Sequence, residues 1–220
     1  MAHMIIDFAS LTLSHSELTL SPLATEHAEG LRAASAEDPS IYGFSHTPIG
    51  LQQCQHYIAE ALTQRAQGLR FPFVIRWQGR IIGSTSYADY QPWCWPADNP
   101  EQRSNRPDAV EIGYTWLAKS AQRTPCNSVA KYLLLQQAFE VFEVHRVAIQ
   151  TDQRNTVSRR AIERIGGQLE GIRRGHKVAA DGTLRDSAMY SILRQEWLPL
   201  KVLLQQKLAA YNASSVSPTL

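Results

Sequence analysis

Residues 111–197 read EIGYTWLAKSAQRTPCNSVAKYLLLQQAFEVFEVHRVAIQTDQRNTVSRRAIERIGGQLEGIRRGHKVAADGTLRDSAMYSILRQEW. In this stretch β-rich runs alternate with segments of helical periodicity, and polar loops separate them. It predicts a strand, a polar loop that opens a helix, a second strand, an Asn-led helix and a final strand pair. Strands separated by helices imply parallel crossovers, whereas hairpins are antiparallel. The expected fold class is therefore α+β, with a mixed central sheet.

Outside this stretch, apolar periodicity predicts further elements on both sides. In chain order they are a strand at 18–23, a helix at 25–36, a helix from 51 that ends at Gly68, and a hairpin of strands 71–77 and 81–90. Within the stretch the predicted bounds are strand 110–117, helix 128–142, strand 146–151, helix 156–165 and strands 169–176 and 187–193. A closing helix is predicted at 196–211, with a leucine stripe on one side. That stripe makes a homodimer plausible.

The segment 91–108 contains four prolines and two tryptophans. Proline has no N–H to donate to a strand ladder, so this segment is not a central strand and is predicted to be a long surface excursion. An excursion of this length in a compact domain is usually functional or flexible.

The length and composition bound the architecture. With 220 residues, 44% of them hydrophobic and 19% charged, the chain can bury one core but not two. We expect a single domain at 4–198, an appended helix at 199–212, a disordered tail at 213–220 and an expression scar at 1–3.

Charge and cysteine usage exclude several classes of protein. The net charge is only +2, so no nucleic acid or membrane surface is expected as a partner. The three cysteines are scattered without a CxxC pair, which argues against a disulfide framework and a metal site. The same scattered cysteines, with no signal peptide in the sequence, favour a reducing compartment, so a cytoplasmic location is expected. No apolar run reaches the roughly 18–20 residues of a membrane span, so a soluble protein is expected.

The order of elements, a polar loop before the third helix, Asn155 after the next strand and a helix-ending Gly166 together resemble the Gcn5-related N-acetyltransferase (GNAT) superfamily. The nearest likeness is to the RimJ/RimL-like branch, which acetylates the N-termini of ribosomal proteins. The resemblance covers most of the chain and is strongest from Glu111 to Trp197. It implies a splayed central sheet flanked by helices, a C-terminal helix, and acetyl-CoA as co-substrate.

The loop at 122–128 is where the resemblance places the pyrophosphate of acetyl-CoA, because the N–H groups at a helix N-terminus bind anions. The family loop commonly reads Gln/Arg-x-x-Gly-x-Gly/Ala, and here neither glycine is present. Pro125 removes one N–H donor, while polar side chains can compensate. A loop that only caps the helix is the alternative. The expected cofactor-binding residues in this region are Leu117, Ala118, Gln122, Arg123, Thr124, Cys126, Asn127 and Ser128.

The second helix start is expected to contact the pantetheine arm. The resemblance assigns this contact to Asn155, with Ser158 one turn further on the same side. An ordinary Asn-led helix start is the alternative. The family often places a tyrosine, the acid for the leaving thiolate, seven residues after this Asn, but Ile162 stands there. Ser158, or water, is left to protonate the thiolate.

The chemistry needs a neutral amine, an oxyanion donor and a base. The resemblance implies a backbone N–H at Leu117 or Ala118 as the oxyanion donor. It also implies Glu111 as the base, with Glu170 as the alternative. Strand alternation places Glu111 opposite Ile112, so that it faces a cleft if the apolar side is buried.

Aromatic residues are expected on the acceptor side and in the core. Tyr42, Trp93 and Trp95 are candidates to line a pocket for a small-molecule amine or a peptide N-terminus, although packing under a loop would explain them equally. His176, on a predicted hairpin, is a further candidate for substrate contact. Tyr114 and Tyr190 are interpreted as packing residues, and His145 as structural.

Two functions follow. The first is acetyl transfer from acetyl-CoA to a primary amine by direct attack in a ternary complex, without a metal or covalent intermediate. The alternative, suggested by the missing glycines and by Ile162, is a non-catalytic acyl-CoA-binding or regulatory module on the same fold. A generic interaction domain without cofactor is a third, weaker interpretation.

Overall fold

The computed structural model describes residues 11–102 and 106–215, with no account of side chains at 212–215. The strands are β1 Leu13–His15, β2 Leu18–Pro22, β3 Arg70–Trp77, β4 Arg80–Gln91, β5 Ala109–Leu117, β6 Arg146–Asp152, β7 Gln168–Val178 and β8 Leu184–Leu193. The helices are α1 Ala28–Ala36, α2 Leu51–Ala66, α3 Cys126–Gln136, α4 Thr156–Arg164 and α5 Arg194–Ser215. Among the described helices, none is long and apolar enough to cross a membrane.

All eight strands form one mixed sheet in the order β1-β2-β3-β4-β5-β6-β8-β7. Every neighbouring pair is antiparallel except β5 and β6, which are parallel. The parallel pairing joins only Ala109–Glu111 with Arg146–Ala148. Beyond Glu111 the two strands separate and leave what we call the β5–β6 gap, between 112–117 and 149–152. The predicted fold class, including the splayed sheet, is confirmed.

A β-bulge in β5 lies beside the β5–β6 gap. Ser86 pairs with Gly113 and Ser84 with Trp116, so Tyr114 and Thr115 together oppose one residue of β4. Tyr114 has a positive φ of 53° and is 50% exposed. The interpretation of Tyr114 as a packing residue is therefore wrong, because the bulge turns its ring out of the core.

The two faces of the sheet carry different helices. Tyr57 of α2 donates a hydrogen bond to Ser84 on one face at 3.0 Å, and Tyr87 donates to the carbonyl of Leu134 in α3 on the other. Ile112 and Tyr190 are buried on the α3 side, which confirms Tyr190 as a packing residue. The opposite side of β5, β6 and β8 carries Glu111, Ala148, Gln150, Met189 and Arg185, and we call it the Glu111 face.

Helix α5 is an integral part of the domain. It begins at Arg194, so the boundary predicted at 198/199 falls inside the helix, and it runs to Ser215, so the predicted tail does not begin at 213. Residues 1–3 and 216–220 lie outside the described residues. The Trp197 ring stacks on Phe139 at 5.5 Å and its indole N–H donates to Glu140 at 2.8 Å. These contacts hold α5 against the end of α3.

The leucine stripe that suggested a homodimer is largely used inside the molecule. Leu204 and Leu208 are buried and Leu200 is half-buried, whereas Leu203 is exposed. A dimer therefore stays a prediction without support from this stripe.

Candidate functional site

The segment from β5 to α3 forms a tight entrance to the helix. After a 3-10 turn at Lys119–Ala121, the Thr124 hydroxyl donates to the carbonyl of Ala121 at 2.6 Å and accepts from the N–H of Cys126 at 3.3 Å. Arg123 takes a left-handed φ of 60°, the conformation that a glycine would supply without strain. The loop thus reaches a compact shape without the family glycines.

The N-terminus of α3 opens beside the end of β5. Pro125, with φ of −63°, precedes the first helical residue, as suits a ring that fixes φ. The N–H groups of Asn127 and Ser128 lie in the first turn, where no carbonyl of the helix can accept them. These donors, together with the positive end of the helix dipole, form a site for an anion.

The backbone of Leu117 faces the β5–β6 gap. The N–H of Ala118 donates to the carbonyl of Ile82 on β4 at 2.7 Å, so it is not available as the oxyanion donor predicted for it. Because N–H directions alternate along a strand, the N–H of Leu117 points away from β4, into the gap. Tyr42 reaches the same place, since its hydroxyl donates to the carbonyl of Leu117 at 3.1 Å.

Tyr42 is a buried wall of the gap and not an exposed aromatic of an acceptor pocket. Its ring meets Trp116 edge-on at 6.0 Å. Burial, reinforced by Glu37 and Asp38, raises the pKa of the phenol to about 12. The hydroxyl therefore stays neutral and serves as a fixed donor at the end of β5.

The start of α4 lies at the same end of the sheet, because β5 and β6 run parallel. Asn155 is the N-cap, and its Oδ1 accepts from the N–H of Ser158 at 2.9 Å. This observation agrees with the alternative reading of Asn155 as a helix start, and leaves its amide NH₂ for a further contact. Next to it, the Arg154 guanidinium lies 5.4 Å from the centre of the Phe44 ring. The chain between α1 and α2 thus reaches across the gap to β6.

Glu111 lies where the parallel pairing ends, at the closed end of the gap. Its Oε2 accepts a hydrogen bond from Nε2 of Gln150 on β6. Burial raises the pKa of this carboxyl, while the bond from Gln150 and the charge of Lys177 oppose the rise. A desolvated carboxylate that keeps one hydrogen bond is a stronger base than an exposed one.

Glu170 has a different environment. Its two carboxylate oxygens accept from the two Nη atoms of Arg146, and Oε1 also accepts from the Ser191 hydroxyl at 2.9 Å. The bonds from Arg146 hold the pKa of this carboxyl below its usual range. A carboxylate with these partners is a weak base. The arrangement therefore favours Glu111 over Glu170 as the candidate base.

Comparison with known proteins identifies the family. The model of the acetyltransferase (GNAT) domain matches residues 17–168, which is more than half of the chain. The chain belongs to the GNAT acetyltransferases.

Individual GNAT relatives agree with this assignment. YdaF of Bacillus subtilis (strain 168), named provisionally as a ribosomal N-acetyltransferase, is 39% identical over 88 residues. That match takes in 40% of this chain and 47% of YdaF, so the chain spans about half the length of this curated relative. A GCN5-related N-acetyltransferase from Brucella melitensis superposes with a TM-score of 0.73 at 25% identity, covering 89% of this chain and 84% of that one.

A more distant likeness is to RimL, a ribosomal-protein alpha-N-acetyltransferase solved in complex with coenzyme A. It superposes with a TM-score of 0.68 at 17% identity, covering 84% of this chain and 99% of RimL. At this identity the likeness shows the fold alone.

Acetyl-CoA fits the residues of this GNAT chain at three points. The first turn of α3 offers N–H donors to a diphosphate, the β5–β6 gap can take an extended arm, and the N–H of Leu117 points into that gap. Cys126 does not belong to this set, because it is buried and its N–H already donates to Thr124. Of the expected cofactor residues, Cys126 and Ala118 therefore have no free N–H to offer the cofactor.

The tryptophans of the 91–108 excursion lie away from the GNAT site. The Trp93 ring stacks on His145 at 5.5 Å, and the Trp93 N–H and the Trp95 indole donate to the two oxygens of Asp108. His145 directly precedes β6, so this cluster sits where β5 and β6 begin, at the opposite end of the strands from the gap. The expectation that Trp93 and Trp95 line an acceptor pocket is wrong, and packing under a loop is what they do.

His176 contacts the Glu111 face at β8. Its Nδ1 is 3.0 Å from the Ser187 hydroxyl on the Glu111 face. Burial, together with Lys177, Arg173 and Arg185, lowers the pKa of its imidazole. His176 is thus a neutral group at neutral pH, suited to hydrogen bonding with a substrate.

Three residues on or beside the Glu111 face were not predicted from the sequence. Gln150 bonds the carboxylate of Glu111, and Arg185 on β8 and Lys177 on β7 act on its charge. Alternation of Ala148, Gln150 and Asp152 along β6 was a usable signal for Gln150. No sequence signal pairs β8 with β6, so Arg185 could not be found.

Proposed function

We propose that this chain transfers the acetyl group of acetyl-CoA to a primary amine by direct attack in a ternary complex. The observation that carries the proposal is the position of Glu111 at the closed end of the β5–β6 gap, where it bonds Gln150, while the helix entrances that fit acetyl-CoA lie at the open end of the same gap. In this arrangement the amine approaches from the Glu111 face while the thioester lies in the gap.

Each residue of the candidate site has a separate role in the reaction. Glu111 accepts the proton of the attacking amine, directly or through water. The N–H of Leu117 donates to the carbonyl oxygen of the thioester as negative charge builds on it, and Tyr42 fixes this part of β5. Ser158, in the first turn of α4, supplies a hydroxyl that can protonate the thiolate. The amine nitrogen forms a bond to the acetyl carbon, and the carbon–sulfur bond of the thioester breaks. Neither change requires a metal.

A protein N-terminus is the acceptor that we favour over a small-molecule amine. The support is the name of YdaF, a relative at 39% identity, since RimL contributes only a likeness of fold. An α-amino group has an ordinary pKa near 8, so a substantial fraction is neutral at physiological pH and a carboxylate base is sufficient.

The alternative is an acyl-CoA-binding module without catalysis. One observation favours it: Ile162, which stands at the family's usual acid position, is buried at 5% exposure and has no proton to donate. Catalysis then depends on Ser158 or water.

The deciding experiment combines binding and turnover. Isothermal titration with acetyl-CoA, CoA and ATP is followed by CoA-thiol release with a panel of peptides and amines. Binding of both CoA species with amine-dependent thiol release supports the transferase. Binding of both without release by any amine supports the module, and absence of CoA binding contradicts both.

A further inference from the structure

Arg185 on β8 is a half-buried cation with an unused donor. Its Nε is enclosed, and within the described residues it has no hydrogen-bond partner. A buried N–H without a partner costs free energy, so native structures rarely keep one unless a ligand or water completes it. Arg185 lies on the Glu111 face, four residues before Met189 along β8, and its charge acts on Glu111.

The carboxylates near Arg185 are already occupied. Asp152 accepts from the N–H, Nε and Nη2 of Arg154 at 2.7–3.0 Å. Glu111 accepts from Gln150. Both carboxylates interact with Arg185 only through longer-range charge, and its burial lowers the pKa of the guanidinium. A further anion can therefore be accommodated.

Gln150 has the complementary unused group. Its Nε2 donates to Glu111, which leaves its Oε1 enclosed and without a partner in the described part of the chain. The Glu111 face thus presents two acceptors, the Glu111 carboxylate and Gln150 Oε1, and further along β8 the donor Arg185 Nε. A primary amine suits the acceptors, and only a negatively charged or carbonyl oxygen suits the donor.

The surrounding charge favours an anion on the β8 side. Lys177 and Arg173 of β7 are exposed, and with Arg185 they lower the pKa of His176. The acid Asp89 lies on the other side, towards β4 and close to Glu111. The charge on this face therefore changes from negative at β4–β5 to positive at β7–β8.

We propose that the preferred acceptor carries a carboxylate close to its primary amine, and that Arg185, with Lys177 behind it, binds that carboxylate while Glu111 and Gln150 hold the amine. This inference rests on the proposed acetyl transfer and specifies its substrate class. The carboxylate belongs either to an acidic residue next to a peptide N-terminus or to a small amino acid.

The test uses acceptors that differ only in this charge. Acetyl transfer by the full chain is followed as CoA release with a short peptide that has Asp at its second position and the same peptide with Asn, and with β-alanine and its amide. We expect the kcat/KM for the better charged acceptor to exceed that of its neutral partner by about tenfold or more, as for a hydrogen bond to a charged group. The two pairs separate the peptide from the small-molecule source.

A variant tests whether Arg185 causes the preference for the charged acceptor. In Arg185→Met the ratio of charged to neutral kcat/KM is expected to fall to near one. Arg174→Met removes one exposed charge from β7 and should keep the ratio of the wild type. If Arg185→Met fails to fold, the ratio of charged to neutral kcat/KM is measured for the wild type in about 0.5 M salt. The ratio should fall, because salt screens exposed charges such as Lys177. An unchanged ratio would contradict recognition of the carboxylate by these charges.

The outcomes distinguish failure of this inference from failure of the proposed acetyl transfer on which it rests. Equal kcat/KM for both members of each pair, with acetylation intact, overturns the carboxylate proposal and leaves the transferase standing. An unchanged preference in Arg185→Met overturns the role of Arg185. No acetylation of any amine despite acetyl-CoA binding overturns the proposed function and this inference with it.

Discussion

Lys131 on α3 donates a hydrogen bond from Nζ to the hydroxyl of Thr115 at 2.6 Å, beneath the bulge of β5. The lysine is 5% exposed, and the Thr115 hydroxyl is 2.8 Å from that of Thr85 on β4. Burial lowers the pKa of Lys131 from 10.5 to about 7, with a smaller opposing effect of Glu111. A charged amine at this place costs free energy, since within the described residues Lys131 forms no ion pair with a carboxylate.

We expect this lysine to make stability rise with pH. Between about pH 7 and pH 10.5 the unfolded chain holds a proton that folded Lys131 has lost, so the free energy of unfolding increases by up to about 1.4 kcal/mol per pH unit. Below pH 7 both states are protonated and the effect ends. Urea midpoints of wild type and Lys131→Met at pH 7, 8 and 9 measure it. The variant should be the more stable at pH 7, with a difference that narrows as pH rises; parallel curves would contradict the assignment.

Glu111 should control the acid limb of the rate profile. A base must be deprotonated, so kcat/KM is expected to fall as the pH decreases through the pKa of Glu111. Because burial raises that pKa, the fall should be centred above pH 4.5, the ordinary pKa of a glutamate. Glu111→Gln should lower kcat about 10²- to 10⁴-fold and remove that limb. Glu170→Gln is the matched control: it breaks the pair with Arg146 and lowers stability, but should leave the limb in place. A limb that survives in Glu111→Gln identifies another base.

Asn155 combines a cap with a possible cofactor contact, and two substitutions separate them. Asn155→Ala should lose about 1 kcal/mol of stability through the lost bond to Ser158. Asn155→Ser keeps a capping oxygen and should recover most of that stability. If the amide also contacts acetyl-CoA, both variants weaken its binding in calorimetry. Affinity restored by serine would leave Asn155 with capping alone.

Arg123 combines a left-handed backbone with a guanidinium in the loop before α3. Arg123→Ala keeps the strain of φ 60° and should lose about 1–2 kcal/mol of stability relative to Arg123→Gly. Both variants lack the guanidinium. If this group binds a phosphate of CoA, both lose affinity about equally, and the loss shrinks as salt increases. Wild-type affinity in the glycine variant would show that only the backbone shape is needed.

Gly166 is required where α4 ends against α5. Its φ is +94°, and an added Cβ would lie 2.6 Å from both methyl groups of Leu200. Gly166→Ala should therefore cost about 1–3 kcal/mol in denaturant unfolding. The double variant with Leu200→Ala removes the clash but not the backbone strain, so its loss should be smaller than the sum of the two single losses. Additive losses would mean that Leu200 moves aside freely.

Much of the fold could be read from local pattern. The strand and helix periods of 111–197 predicted β5 to β8 and α3 to α5 within a few residues at most ends, and Gly166 took the left-handed position expected of it. The prediction was poorer where the period is interrupted: α3 ends at Gln136 in a π-helical turn, Gln137–Val141, and the three-residue strand β1 was missed. Short or irregular elements carry too few residues to show a period.

The candidate site was predicted only in part. Glu111, Asn155 and the α3 entrance were expected from the family resemblance of one continuous segment, and their roles in the reaction stay predictions. Trp93 and Trp95 were misplaced, since aromatic residues in a loop fit a pocket and a packed cluster equally well until His145 and Asp108 are seen beneath them.

The sequence by itself determined most of the strands and helices and the polar starts of α3 and α4, because these depend on neighbours a few residues apart. Only the tertiary structure decided what surrounds each of the two candidate carboxylates. Glu111 and its partner Gln150 are 39 residues apart in the sequence, and Glu170 and its partner Arg146 are 24 residues apart. Burial and charge at such sites are set by strand pairing, and strand pairing is not encoded in any one stretch of the chain.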